Sequence, residues 1–92
     1  MAKFVLQLAF DRDDDKRLQL RPRHREHLQS LLAEGKLVMA GPWKDDSGAL
    51  LIFDVADENE MNAILARDPY GYDVASAVSI VSLREWAPIL AA

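Results

Sequence analysis

Residues 35–55 read GKLVMAGPWKDDSGALLIFDV, in which two apolar runs flank a polar turn. The runs Leu37–Ala40 and Ala49–Val55 predict two strands, because each is short, apolar and bounded by turn residues. The DDSG segment at 45–48 supplies residues that favour a turn. We therefore expect a β-hairpin in the middle of the chain, and the segments on either side of it decide the fold.

The segment before the hairpin predicts a helix. From Leu20 to Glu34, four leucines recur with helical spacing and form one apolar stripe: Leu20, Leu28, Leu31 and Leu32. Pro22 fits the first turn of this helix, where its missing N–H removes no hydrogen bond. Gly35 fits the position of a C-terminal cap.

A second helix is predicted after the hairpin. Asp57 and Glu60 have the spacing of a capping box, and the residues that follow place Met61, Ile64 and Leu65 on one face. Asp68-Pro69 ends this helix, because the residue before proline is disfavoured in the α conformation.

Two outer strands complete the pattern. Lys3–Phe10 alternates large apolar residues with smaller or polar ones, and the run from Ala77 to about Trp86 is rich in β-branched residues. The order is β-α-β-β-α-β, which predicts an α+β, ferredoxin-like fold. We expect one domain, residues 1–92, with a four-stranded antiparallel sheet and both helices on one face.

The strands are apolar on both faces, although two helices can cover only one. Leu50 and Ile52 alternate with Leu51 and Phe53, and we expect Val78 and Ile80 to face away from Val81 and Leu83. A large exposed apolar sheet face is unusual in a monomer. A homodimer that packs through the bare sheet faces is therefore predicted.

Composition narrows the classes of function. The net charge of −4 argues against nucleic acid as a partner, and a basic cluster (Lys16, Arg17, Arg21, Arg23 and Arg25) is interpreted as a solvated helix face. The absence of cysteine excludes disulfides and thiolate metal ligands. No apolar run approaches the roughly 18 residues of a membrane span, so we expect no membrane association and a cytoplasmic location.

The two histidines of the chain differ in their helical positions. With Leu20 at 0° and 100° per residue, the leucine stripe centres near about 50°. His24 falls at about 40°, in the middle of the stripe, and His27 at about 340°, on its edge. His24 is thus expected to face the core or a pocket, and His27 to lie at the rim.

Asp68 is the expected partner of His24. It lies seven residues after Met61 on the inward face of the second helix, where an unpaired carboxylate would be costly. A His–Asp pair can transfer protons near neutral pH, because the carboxylate fixes the tautomer of the imidazole. Two alternatives stay open: a purely structural pair, and a metal site formed by His24, His27 and Asp68.

Three short motifs resemble the YCII-related family. They are RPRH at 21–24, LLAEGKLVMAGP at 31–42 and DPYG at 68–71, and they occur in the order found in that family. The resemblance covers nearly the whole chain. It implies a dimeric α+β barrel and an active site around one histidine and one aspartate, which correspond here to His24 and Asp68. His27 has no counterpart in the family motif.

The prediction from these observations is a cofactor-independent enzyme, with no metal, that transfers protons on a small and possibly cyclic or aromatic molecule, as a lyase or isomerase does. His24 is the expected acid or base, and Asp68 orients it. The expected substrate-binding residues are Arg21, Gly41, Pro42 and Tyr70. Other candidates for the pocket are two tryptophans, Trp43 and Trp86, and two residues after DPYG, Tyr72 and Asp73. The alternative is a non-catalytic ligand-binding or accessory module.

Overall fold

A computed structural model describes residues 1–11, 15–71 and 78–92. The elements are β1 (Ala2–Phe10), α1 (Asp15–Ala33), β2 (Leu37–Pro42), β3 (Gly48–Val55), α2 (Glu58–Arg67) and β4 (Val78–Trp86). The strands form one antiparallel sheet in the order β2-β3-β1-β4. The predicted ferredoxin-like order and α+β class are confirmed.

The core lies between one face of the sheet and the two helices. Alternate residues of β1 and β3 point into it, among them Leu6, Leu51 and Phe53, and they meet Leu31 of α1 and Met61 of α2. These side chains are almost completely buried, and each large one stabilises the fold by about 1.5–3 kcal/mol. No helix in the described part of the chain is long and apolar enough to span a membrane.

The first helix begins earlier than predicted. α1 starts at Asp15 and not near Leu20, so Pro22 lies inside the helix and not in its first turn. Two further expectations about this helix are wrong. Arg17 is buried and not part of a solvated face, and Leu32 is 54% exposed and not part of the apolar stripe. Extended backwards, the helical wheel places Arg17 at about 60°, near the centre of the buried face.

Strand β4 contains an irregularity that changes which residues share a face. The register with β1 shifts between Gln7 and Leu8, where the partners pass from Ser82 to Ile80. This shift has the character of a β-bulge, which breaks the alternation of side chains. Val78 is therefore buried in the same core against which Leu83 packs, contrary to the predicted separation of these two residues.

Within residues 1–11, 15–71 and 78–92, no helix covers the other face of the sheet. Val5, Leu50 and Ile52 lie there half-buried and border a shallow cavity of about 420 Å³, together with Trp86. The predicted apolar character of both sheet faces is thus present in β1 and β3.

Candidate active site

His24 and Asp68 form a buried hydrogen-bonded pair. His24 Nδ1 lies 2.8 Å from Asp68 Oδ1, and the two side chains are 9% and 4% exposed. The predicted contact between α1 and the end of α2 is therefore present. An ionised carboxylate can only accept a hydrogen bond, so Nδ1 donates. In the neutral ring Nε2 is then the basic nitrogen.

Asp68 is held in place by the local structure of the DPYG segment. Its backbone N–H donates to the carbonyl of Leu65 and so caps α2. Its carbonyl accepts from the N–H of Gly71 at 3.1 Å, which closes a turn. Oδ1 also accepts from the N–H of Tyr70 at 3.0 Å. Gly71 has φ +56°, which a glycine adopts without strain. The motif thus fixes the carboxylate that faces His24.

Tyr70 stacks on the imidazole. The ring centroids of His24 and Tyr70 are 3.8 Å apart, and the ring planes differ by 14°. Burial raises the pKa of the Tyr70 hydroxyl above its usual 10, while the positive charges of Arg17 and Arg21 act in the opposite direction. The hydroxyl stays protonated at neutral pH, and the ring holds the imidazole in one plane.

The His24 ring borders a partly open cavity of about 170 Å³ between α1, the β2–β3 hairpin and Tyr70. Its walls are apolar on the sheet side and basic on the helix side. They are formed by Phe10, Arg17, Arg21, His24, Arg25, Leu28, Ala40, Gly41, Pro42, Asp46, Ala49, Leu51 and Tyr70. All four expected substrate-binding residues are among them, whereas Asp68 lies behind His24.

Arg17 is a buried residue of this cavity that the sequence interpretation missed. It is 3% exposed, its guanidinium lies 4.2 Å from the centre of the Phe10 ring, and Nη2 lies 3.2 Å from Asp46 Oδ2. Asp46 belongs to the hairpin turn, 29 positions further along the chain. Arg17 lies seven residues before His24 and therefore on the same face of the helix, and this spacing could have predicted that it is buried.

The remaining candidates lie in different places. Trp43 borders a groove with Met39 on the bare side of the sheet, and Trp86 borders the shallow cavity there, so neither lines the cavity at His24. Tyr72 and Asp73 lie outside the described residues. Gly41 lines the cavity, but a Cβ added there would contact no other atom within 4 Å. The fold therefore does not require a glycine at this position.

His27 is separated from the pair. It is half-buried and lines another cavity, between α1 and α2, with Glu34, Lys36 and Glu60. Within residues 1–11, 15–71 and 78–92, its Nε2 is buried without a hydrogen-bond partner. No three histidine or carboxylate side chains in these segments lie close enough together to hold a metal ion. The alternative metal site of His24, His27 and Asp68 is therefore not assembled.

Comparisons with known proteins agree with this architecture. The chain is similar to a solved structure of 5-chloro-2-hydroxyhydroquinone dehydrochlorinase (TftG) from Burkholderia phenoliruptrix AC1100 in complex with 2,5-dihydroxybenzoquinone. The TM-score is 0.69 and the identity 19%, over 92% of this chain and 93% of that chain, which shows a shared fold. No curated protein matches the sequence. The YCII-related domain matches residues 3–87. The chain therefore belongs to the YCII-related family.

Proposed function

We propose that this protein is a cofactor-independent enzyme that transfers protons on a small organic molecule, with His24 as the acid–base group. The observation that carries the proposal is the position of His24. One side of its ring is hydrogen-bonded to a buried carboxylate at 2.8 Å, and the same ring lines a cavity large enough for a ligand. No described residue is hydrogen-bonded to Nε2, so this nitrogen is available to a substrate.

In the proposed reaction, Nε2 of the neutral ring removes a proton from the bound molecule. The Asp68 carboxylate stabilises the imidazolium that forms, because it accepts the Nδ1 hydrogen throughout. In an isomerase-type reaction the same proton returns to another atom of the substrate. In a lyase-type reaction a leaving anion departs from the neighbouring carbon, and its bonding electrons go with it while a double bond forms.

The similar solved structure supports the lyase alternative. That protein is named for the removal of hydrogen chloride from 5-chloro-2-hydroxyhydroquinone, and its ligand is 2,5-dihydroxybenzoquinone. Removal of hydrogen chloride requires a base, which His24 supplies in this chain. A one-ring oxygenated compound is accordingly the first substrate class to examine.

A homodimer through the bare sheet face belongs to the same proposal. Val5, Leu50 and Ile52 are half-buried there in one chain, and Trp86 is 46% exposed beside them. Apolar sheet surface of this kind is stabilised when a second copy covers it.

Turnover of a panel of hydroxylated and chlorinated one-ring quinols tests the function. Chloride release and product mass would be followed for the native chain, His24→Gln and His27→Gln. We expect the native chain to turn over at least one of these compounds. His24→Gln should lower the rate by about 10²–10⁴-fold, and His27→Gln should leave it nearly unchanged. Binding without turnover would favour the non-catalytic alternative, and equal losses in both variants would contradict the role of His24.

A further inference from the structure

Arg17 is almost completely buried, although its guanidinium carries a charge. Its exposed fraction is 3%, and it lies on α1 two turns before His24. Removal of a charged group from water costs free energy, and a buried ion pair is often no more stabilising than apolar residues of the same volume. The stability of the core therefore does not explain why an arginine occupies this position.

The contacts of Arg17 join three separate parts of the cavity wall. Its guanidinium lies 4.2 Å from the centre of the Phe10 ring, at the end of β1. Nη2 lies 3.2 Å from Asp46 Oδ2, in the hairpin turn. The same side chain donates a hydrogen bond to the Tyr70 hydroxyl, after the end of α2. A planar guanidinium with several N–H donors can make these contacts at the same time.

The hairpin turn has an unusual backbone conformation where it meets Arg17. Asp46 has φ +60°, and among the described residues it is the one non-glycine residue with a positive φ. Glycine adopts this conformation without strain, and asparagine tolerates it as well as aspartate does. Neither of them carries the negative charge that pairs with the guanidinium. The turn thus presents a carboxylate to Arg17 at a position that the backbone alone would leave to glycine.

We infer that Arg17 is a positioning residue for His24 and that it acts through Tyr70. The Tyr70 hydroxyl accepts from Arg17, and its ring stacks on the imidazole with centroids 3.8 Å apart. Asp68 holds the Nδ1 edge of the imidazole, and the stack fixes the tilt of the ring about that hydrogen bond. Arg17 therefore sets the direction in which Nε2 points. The catalytic consequence of this role rests on the proposed function.

Proton NMR of the His24 ring tests the inference without a substrate. A stacked tyrosine ring shifts the signals of the imidazole protons upfield, so these shifts report the geometry of the stack. Arg17→Lys keeps the charge but loses the planar fork of donors. We expect the upfield shift to become smaller in Arg17→Lys and to stay unchanged in Arg23→Lys, which alters an exposed arginine of the same helix. An unchanged shift in Arg17→Lys, or equal changes in both variants, would overturn the inference.

Tyr70→Phe shows whether Arg17 acts through the Tyr70 hydroxyl. This variant keeps the aromatic ring and removes the acceptor, so Arg17→Lys should change the His24 signals no further in the Tyr70→Phe background. Equal changes in both backgrounds would refute the route through the hydroxyl. If denaturant melts show that Arg17→Lys does not fold, Asp46→Asn replaces it, because asparagine tolerates the left-handed turn and removes only the charge. Unchanged His24 signals in both Asp46→Asn and Tyr70→Phe would likewise overturn the inference.

Steady-state kinetics separate this role from substrate binding. Misplacement of a reacting group by a small distance lowers the rate of the chemical step, so Arg17→Lys should lower kcat by about ten- to a hundredfold with little change in KM. A raised KM with unchanged kcat would show that Arg17 binds the substrate and would contradict the inference. A native chain without turnover, whose His24 signals respond as expected, would refute the proposed function and leave the positioning role of Arg17 supported.

Discussion

Replacement of Asp68 by asparagine perturbs the His24 pair with little change in shape. Oδ1 of Asp68 accepts from His24 Nδ1 at 2.8 Å and from the Tyr70 N–H at 3.0 Å. A hydrogen bond to a charged group contributes about 1.5–3 kcal/mol and a neutral one about 0.5–1.5 kcal/mol. The preference for the Nδ1–H tautomer should therefore fall by about 1–1.5 kcal/mol, which is about five- to tenfold in population.

The loss of activity should exceed the loss of stability. An amide oxygen can still accept from Tyr70, so we expect the free energy of unfolding to fall by only about 1–2 kcal/mol. Turnover should fall by about 10²–10⁴-fold, because the amide shifts the ring towards the unreactive tautomer and also lacks the negative charge that stabilises the imidazolium formed on proton transfer.

Nitrogen-15 NMR of the imidazole rings measures the tautomer directly. The chain has only two histidines, and His27→Gln assigns the remaining signals to His24. Asp54→Asn is the matched control, because it makes the same chemical change at a carboxylate that pairs with Lys3 at 3.5 Å. Unchanged His24 tautomer populations in Asp68→Asn would refute the role of the carboxylate.

Three further outcomes are expected. Gly48→Ala should destabilise the fold by about 1–3 kcal/mol in denaturant melts, because a Cβ there would collide with the carbonyl oxygen of Leu8, whereas Gly41→Ala should be nearly neutral. Burial raises the pKa of Tyr70, so its contribution to the free energy of unfolding should be complete below pH 10 and be lost as the pH rises further. In denaturant melts above pH 10, the free energy of unfolding of Tyr70→Phe should therefore decline less than that of the native chain. Equal declines would contradict this. Light scattering of the native chain should give a mass of about twice the 10.3 kDa of one chain. Ile52→Asp places a charge on the bare sheet face and should give the mass of a monomer. A monomeric native chain would contradict the proposed dimer.

The sequence predicted the fold where local signals were sufficient. Asp57 caps α2 as predicted, since its Oδ1 accepts from the Glu60 N–H at 2.9 Å, while the Glu60 side chain accepts from the Ala56 N–H and not from that of Asp57. The helix ends before Asp68, as Pro69 requires. The shift in β4 was not predictable, because alternation assumes a regular strand and carries no signal for one unpaired residue.

The candidate site was likewise predictable only in part from the sequence. The pair of His24 and Asp68 followed from helical periodicity on two elements, and the structure places their side chains in contact. Arg17 was missed because its burial depends on Asp46 and Phe10, which lie on other elements. A charged residue in a basic, polar stretch gives no local indication of a partner 29 residues away.

Proton exchange catalysed at His24 is the most direct test of its role as the acid–base group. Dihydroxybenzoquinone would be incubated in D₂O with the native chain, and the loss of its ring C–H signal followed by proton NMR, whatever the natural reaction. We expect the native chain to accelerate exchange, His27→Gln to do so equally, and His24→Gln not to do so. Exchange at the native rate in His24→Gln, or no acceleration by the native chain, would contradict the claim that His24 transfers protons on a small ring compound.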